Sequence, residues 1–141
     1  MPDARIARGD DLAALLALFR VSEVSAAPEP VEQVERIWAK MLSRDGLTVF
    51  VSEAESKIVS TCMLITAPNL LRSGRQHAFL ENVVTHPGFR GRGFGRAVVL
   101  AALAAAATVV AAGALPLRLN LALAAVVGIA AGLLSERREA R

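Results

Sequence analysis

The chain has 141 residues, which is the length of a single domain and is enough to bury a hydrophobic core. It is mildly basic, with a formal net charge of +3 and a pI of about 10.0, and aromatic residues make up only 4% of it. Few aromatics and no tyrosine argue against base-stacking platforms, so we predict no nucleic-acid partner. The single cysteine, Cys62, excludes an internal disulfide and is typical of a reducing compartment, which predicts a cytoplasmic protein.

The first elements predicted along the chain are a strand and two helices. Ala4–Arg8 alternates apolar and polar residues, as a half-buried strand does. Asp10 or Asp11 can then cap a helix over Leu12–Arg20, whose leucines recur at helical spacing. A break with two prolines follows, and a second amphipathic helix is predicted over Val31–Leu42.

Three strands come next. They are predicted over Leu47–Ser52, Lys57–Ala67 and His77–Thr85, each bounded by turn-forming residues. Two residues whose side chains could take part in ligand binding or catalysis are instead expected in the hydrophobic core. Trp38 lies on the apolar stripe of the second helix, and Cys62 lies among small and apolar residues of a strand.

A glycine-rich loop connects the last of these strands to an alanine-rich helical segment. The stretch Phe79–Arg96 reads FLENVVTHPGFRGRGFGR, and His86 in the exit turn is expected to cap that turn or be solvated. Glycines between a strand and a helix let the backbone approach a ligand and leave the N–H groups of the helix start unpaired. Together with Arg90, Arg92 and Arg96, they predict a site for a phosphate or pyrophosphate. The spacing matches neither the dinucleotide-binding Gly-x-Gly-x-x-Gly pattern nor a P-loop.

The loop also carries a family resemblance. Arg90-Gly91-Arg92-Gly93-Phe94-Gly95 resembles the Arg/Gln-x-x-Gly-x-Gly/Ala pyrophosphate loop of the GCN5-related N-acetyltransferases (GNAT), and Glu81–Pro87 resembles that family's fourth strand and exit turn. The resemblance covers residues from about 3 to 97. It implies an α/β (α+β) domain with the acyl-CoA N-acyltransferase fold, a mixed, mostly antiparallel sheet flanked by helices. The alternative for the loop is a basic turn that is only solvated or that touches nucleic-acid phosphates.

The resemblance further implies an N-acetyltransferase that moves the acetyl group of acetyl-CoA to a primary amine of a small molecule or protein by direct attack. No His/Cys cluster has metal-ligand spacing, so we predict no metal. In this family, the backbone of the fourth strand pairs with the pantetheine arm, and one strand amide, here that of Val84, polarises the thioester. Glu81 is the candidate base, and a salt bridge with an arginine is the alternative for it. The residues implied in cofactor binding are Val83, Val84, Thr85, Arg90, Gly91, Arg92, Gly93, Phe94, Gly95 and Arg96.

The C-terminal part departs from the family. Ala97–Leu117 contains no charged residue, and Leu121–Leu134 is apolar again. The family would continue with a fifth strand, a fourth helix and a closing hairpin, and would carry a tyrosine as general acid, for which this chain has no candidate. We therefore predict an N-acetyltransferase domain over residues 1–97 and, in place of the missing strands, an alanine-rich apolar helical tail over residues 98–141.

Two explanations of this tail are open. A frame change or gene fusion is one, since LNLALAAVVGIAAGLLSERR at 119–138 resembles the last helix of a bacterial amino-acid exporter. A membrane-tethered variant is the other, with membrane association through residues 97–134. The alternative function is accordingly a truncated or fused acetyltransferase remnant, catalytically impaired and carrying a membrane-associating tail.

Overall fold

The computed structural model describes residues 2–24, 30–71 and 76–112. In this part of the chain, a four-stranded antiparallel sheet in the order β1-β2-β3-β4 is covered by two helices on one face and by a third helix on the other. The elements in chain order are β1 Arg5–Ile6, α1 Leu12–Val21, α2 Val31–Ser43, β2 Leu47–Ala54, β3 Lys57–Ala67, β4 His77–Thr85 and α3 Phe94–Ala112.

The predicted order of strands and helices is confirmed, and most bounds differ by two residues or fewer. β3 and β4 have the predicted bounds. Each of α1 and α2 is one residue longer than its prediction. The first strand is shorter than the predicted Ala4–Arg8, because the ladder with β2 pairs only Arg5 and Ile6 before the chain turns toward α1.

Asp11 fixes this turn, in a different way from the predicted helix cap. The Arg5 guanidinium donates to Asp11 Oδ1 at 2.8 Å and to Oδ2 at 2.7 Å, and the Arg8 backbone N–H donates to Oδ2 at 2.7 Å. The Asp11 side chain makes no capping hydrogen bond to α1, because these donors already occupy its carboxylate. The Arg5 hydrogen bond, followed by that from Arg8, holds the pKa of Asp11 below its usual range.

The alternation of side chains along the strands separates two cores. One lies between the sheet and the α1–α2 pair, and its strand residues include Val49, Val51 and Val84. Trp38 is buried in it as predicted, and its Nε1 donates to the Gly9 carbonyl oxygen at 3.1 Å. The second core lies under α3 and is formed by Phe50, Cys62, Leu64, Val98 and Ala102. Cys62 is buried there as predicted, and burial raises the pKa of its thiol.

The helix α3 runs without a break across residue 97, the predicted start of the tail. Val98 and Ala102 are fully buried, whereas Leu100 and Leu103 are about half exposed on the outer face. The division into residues 1–97 and 98–141 therefore stays a prediction, and the tail beyond residue 112, with the expected loss of strands, lies outside the described residues. Within the described ranges, none of the helices combines the length and the hydropathy needed to cross a membrane.

Candidate active site

A bulge interrupts β4 in the middle of the predicted site. Glu81 pairs with Met63 and Val84 pairs with Thr61, so two residues of β4 lie opposite a single residue of β3. One of these two is Asn82, which has a φ of 51°. The sequence reasoning missed this bulge. Its signal is the asparagine itself, which is depleted in strands and adopts the left-handed region more readily than other non-glycine residues.

The hydrogen bonds between β3 and β4 determine which backbone groups of β4 point toward β3 and which point away from it. The His86 N–H donates to the Val59 carbonyl oxygen of β3 at 2.9 Å. Because backbone groups alternate in direction along a strand, those of Val84 also point toward β3, whereas those of Val83 and Thr85 point to the opposite side. In the part of the chain that the structure describes, this opposite side is the open edge of the sheet. The edge can accept an extended chain bearing amide groups.

The loop after β4 requires glycine at two positions for different reasons. Gly93 has a φ of 92°, a backbone conformation that side chains with a Cβ rarely adopt. Gly95 has an ordinary backbone, but a Cβ at this residue would lie 2.8 Å from Thr85 Oγ1. The start of α3 is thus packed directly on the end of β4.

The beginning of α3 presents unpaired backbone donors. The helix starts at Phe94, and the Ala97 N–H donates to the Gly93 carbonyl oxygen at 3.0 Å. The N–H groups of Phe94, Gly95 and Arg96 precede this first helical hydrogen bond, and the positive end of the helix dipole adds to them. This arrangement suits an anion.

Aromatic rings and arginines shape the surroundings of these donors. The Phe89 ring packs edge-on against His86 and Phe94, and the Arg92 guanidinium lies 5.2 Å from its centroid. His86 caps the turn as expected, since its Nδ1 accepts from the Gly88 N–H at 3.1 Å. The result is an open depression of about 340 Å³. Its lining consists of Thr85, Phe89, Arg90, Gly91, Gly93, Phe94, Gly95 and Arg96.

The three predicted arginines occupy different positions around this depression. Arg90 and Arg96 line it, whereas Arg92 is on Phe89 outside the lining. Arg90 Nε also donates to the Thr85 carbonyl oxygen at 3.3 Å, which ties the loop to the end of β4.

Glu81 is exposed and lies on the sheet face that carries α1 and α2, because directly paired residues share a face and its partner Met63 packs there. Both ion pairs that the described part of the chain contains are made by Arg5, so the salt bridge considered for Glu81 is not among them. Among the same residues, no group of three or more His, Cys, Asp or Glu side chains is placed to hold a metal ion.

The comparisons with known proteins agree with this geometry. The sequence model described as "Acetyltransferase (GNAT) family" matches residues 12–121. A glucosamine 6-phosphate N-acetyltransferase of Trypanosoma brucei brucei is 32% identical over 101 residues, which are 70% of this chain and 67% of that protein. A solved structure from Agrobacterium tumefaciens str. C58, assigned as an acetyltransferase, is 40% identical with a TM-score of 0.69, covering 76% of this chain and 74% of that one.

A structure of an acetyltransferase from Clostridium acetobutylicum with acetyl-CoA shares the fold, with a TM-score of 0.57 at 18% identity and coverage of 75% of this chain and 73% of that one. The chain belongs to the GNAT family of acetyltransferases. It has the α+β fold of that family, and it is an N-acetyltransferase that uses acetyl-CoA as co-substrate. The family match ends at residue 121, beyond the limit near residue 97 that the motifs alone suggested.

Proposed function

We propose that this chain holds the pyrophosphate of acetyl-CoA on the loop Gly91–Gly95 and transfers the acetyl group to a primary amine bound beside Glu81. The observation that carries the proposal is the junction of β4 and α3, where unpaired N–H groups, left-handed glycines and arginines converge. Each hydrogen bond from such a donor to a charged phosphate oxygen is worth roughly 1.5–3 kcal/mol.

The open edge of β4 is the proposed binding surface for the pantetheine arm. The backbone N–H and C=O groups of Val83 and Thr85 point to the same side of β4, away from β3. They can pair with the amides of the arm as an added strand does. The amide that polarises the thioester carbonyl was predicted to be that of Val84. The pairing of β3 with β4 favours the amide of Val83 instead, because the backbone N–H and C=O of Val84 point toward β3.

Acetyl-CoA, when bound, supplies the thioester that is cleaved and the thiol that leaves. The amine nitrogen attacks the carbonyl carbon with its lone pair, and the Val83 N–H donates to the oxygen on which negative charge develops. Glu81 accepts the proton that the nitrogen loses, directly or through water. A carbon–nitrogen bond forms, the carbon–sulfur bond breaks, and the thiolate takes up a proton from water, so that an acetamide and a free thiol result.

One acceptor amine is suggested by a relative of this chain. The Trypanosoma relative is named for glucosamine 6-phosphate, which makes that sugar phosphate one acceptor to be tested on this chain. The common requirement is a primary amine that reaches β4 beside Glu81.

Two variants test the roles of the loop and of Glu81. By calorimetry, we expect Gly93→Asp to weaken acetyl-CoA binding at least tenfold, about 1.4 kcal/mol, because it adds a negative charge and a strained backbone at the pyrophosphate loop. Glu81→Gln should keep the affinity for acetyl-CoA but lower kcat by roughly 10²–10⁴-fold, the usual contribution of a general base.

Each variant has a matched control. Gly9→Asp places the same charge where a Cβ meets nothing within 4 Å, and Glu35→Gln removes an exposed carboxylate from α2. Unchanged acetyl-CoA affinity in Gly93→Asp would refute the role of the loop. Unchanged kcat in Glu81→Gln would remove the assignment of the base and leave the loop in place.

A further inference from the structure

A cavity of about 190 Å³ lies between α1, α2 and the sheet. Leu16 and Phe19 of α1, Ile37 and Trp38 of α2, and Met63 and Asn82 of the sheet are among the residues that line it. Thus the bulge residue of β4 forms part of its wall. The cavity is separate from the depression at the pyrophosphate loop, with which it shares no lining residue.

The described wall of this cavity is almost entirely apolar. Asp, Glu, Lys, Arg and His are all absent from the described lining. Two of its polar groups are already paired, since Trp38 Nε1 donates to the Gly9 carbonyl oxygen and Thr61 Oγ1 donates to the Phe50 carbonyl oxygen. A phosphate or a polyhydroxylated ring placed there would lose its hydration without compensating hydrogen bonds, which is unfavourable.

The cavity lies on the same face of the sheet as Glu81, the proposed base of the acetyl transfer. Met63 lies in its wall and is paired with Glu81 across the β3–β4 ladder. Glu81 therefore lies on the same sheet face as the cavity, and Asn82 adjoins both. An amine whose nitrogen is beside Glu81 would extend its remaining atoms into this apolar space.

The volume indicates what those atoms can be. A dry apolar cavity of roughly 150 Å³ in another protein is sufficient to bind benzene. The cavity of about 190 Å³ is of similar size and chemistry. We propose that the acceptor is an amine with a compact apolar body, an arylalkyl or branched-alkyl amine, and that this cavity selects it. This inference rests on the proposed function and specifies its substrate class.

The test compares acceptors on the full chain at saturating acetyl-CoA. Phenethylamine, ethylamine and glucosamine 6-phosphate are offered in turn, and released thiol gives kcat/KM for each. We expect phenethylamine to exceed both other amines by at least about tenfold, since apolar pockets discriminate by roughly 10–200-fold for each methylene-sized difference.

A pair of variants on α1 tests whether the cavity itself is responsible. Leu16→Trp should fill the space and lower kcat/KM for phenethylamine about tenfold more than it lowers kcat/KM for ethylamine. Ala17→Trp places the same side chain at an exposed position of the same helix and should change neither value. If Leu16→Trp does not fold, Leu16→Ala enlarges the cavity and should shift the preference from phenethylamine toward a naphthyl-bearing amine.

Calorimetry with acetyl-CoA separates failure of this inference from failure of the proposed function. If acetyl-CoA binds and glucosamine 6-phosphate is preferred over phenethylamine, the inference is overturned and the proposed function stands. The same holds if ethylamine is accepted as well as phenethylamine. If acetyl-CoA does not bind and no amine is acetylated, the proposed function fails.

Discussion

The packing of Gly95 against Thr85 allows a sharp test of how the pyrophosphate loop is positioned. Gly95→Ala would place a Cβ 2.8 Å from Thr85 Oγ1, closer than carbon and oxygen atoms approach without displacement. The Thr85 hydroxyl cannot rotate freely, because it is hydrogen-bonded to Ser60 Oγ at 2.9 Å. Ser60 is fully buried and also donates to the Val84 carbonyl oxygen at 3.0 Å. The start of α3 must therefore shift away from the end of β4.

The expected magnitude follows from two opposing effects. Overpacking of this kind costs about 1–3 kcal/mol. Gly95 lies in the first turn of α3, so alanine in place of glycine returns well under the about 1 kcal/mol that it returns in a helix interior. We expect Gly95→Ala to lower the free energy of unfolding by roughly 1–2 kcal/mol and to weaken acetyl-CoA binding about tenfold, since one misplaced phosphate hydrogen bond accounts for that loss.

Removing the obstructing atom should reverse most of this effect. Thr85→Ala deletes Oγ1, after which the next atom near a Cβ at Gly95 is Ser60 Oγ at 3.9 Å. Thr85→Ala alone should cost about 1 kcal/mol for the lost hydrogen bond. The double variant should be more stable than the sum of the two single changes predicts, by roughly 1–2 kcal/mol.

Urea denaturation of the four forms measures this coupling, and equal m-values show that the comparison is valid. Gly9→Ala is the control, because a Cβ there meets nothing within 4 Å. The reasoning is refuted if Gly95→Ala is as stable as the wild type, or if the double variant shows only additive effects.

Two further predictions concern stability and burial. Asp11→Asn should lower the free energy of unfolding at pH 7 by about 1.5–3 kcal/mol, since it weakens charged hydrogen bonds from Arg5. The pKa of Asp11 is lowered in the folded state, so its contribution is present above the unfolded pKa of about 3.9 and is lost as the pH falls through the folded pKa. Denaturation curves of both proteins between pH 7 and about pH 2 should converge at the acid end, and a constant difference would contradict the assignment. Cys62 is fully buried with a raised thiol pKa, so at pH 8 a thiol reagent should modify the native protein at least about 100-fold more slowly than the urea-unfolded protein. Equal rates would show that the core under α3 is open.

The sequence was a good guide where the signal is local. The bounds of β3 and β4 follow from β-branched runs between turn residues, and the loop that begins α3 follows from glycines and arginines at close spacing. Asp11 was harder to predict. An aspartate before a helix usually caps it, but here a guanidinium six residues earlier is the stronger partner.

The sequence by itself determined the order of the elements, the family and the loop that suits a pyrophosphate, because each depends on residues that are neighbours in the chain. Only the tertiary structure decided the details of the candidate site. The bulge at Asn82 sets the phase of β4 and thereby turns Val83, and not Val84, to the open edge. The same strand register places Glu81 on the sheet face that carries α1 and α2, and the apolar cavity lies between these helices and that face. These features depend on the register between β3 and β4 and on the helices packed over them, and such long-range pairing is set by burial of one whole face rather than by any local pattern.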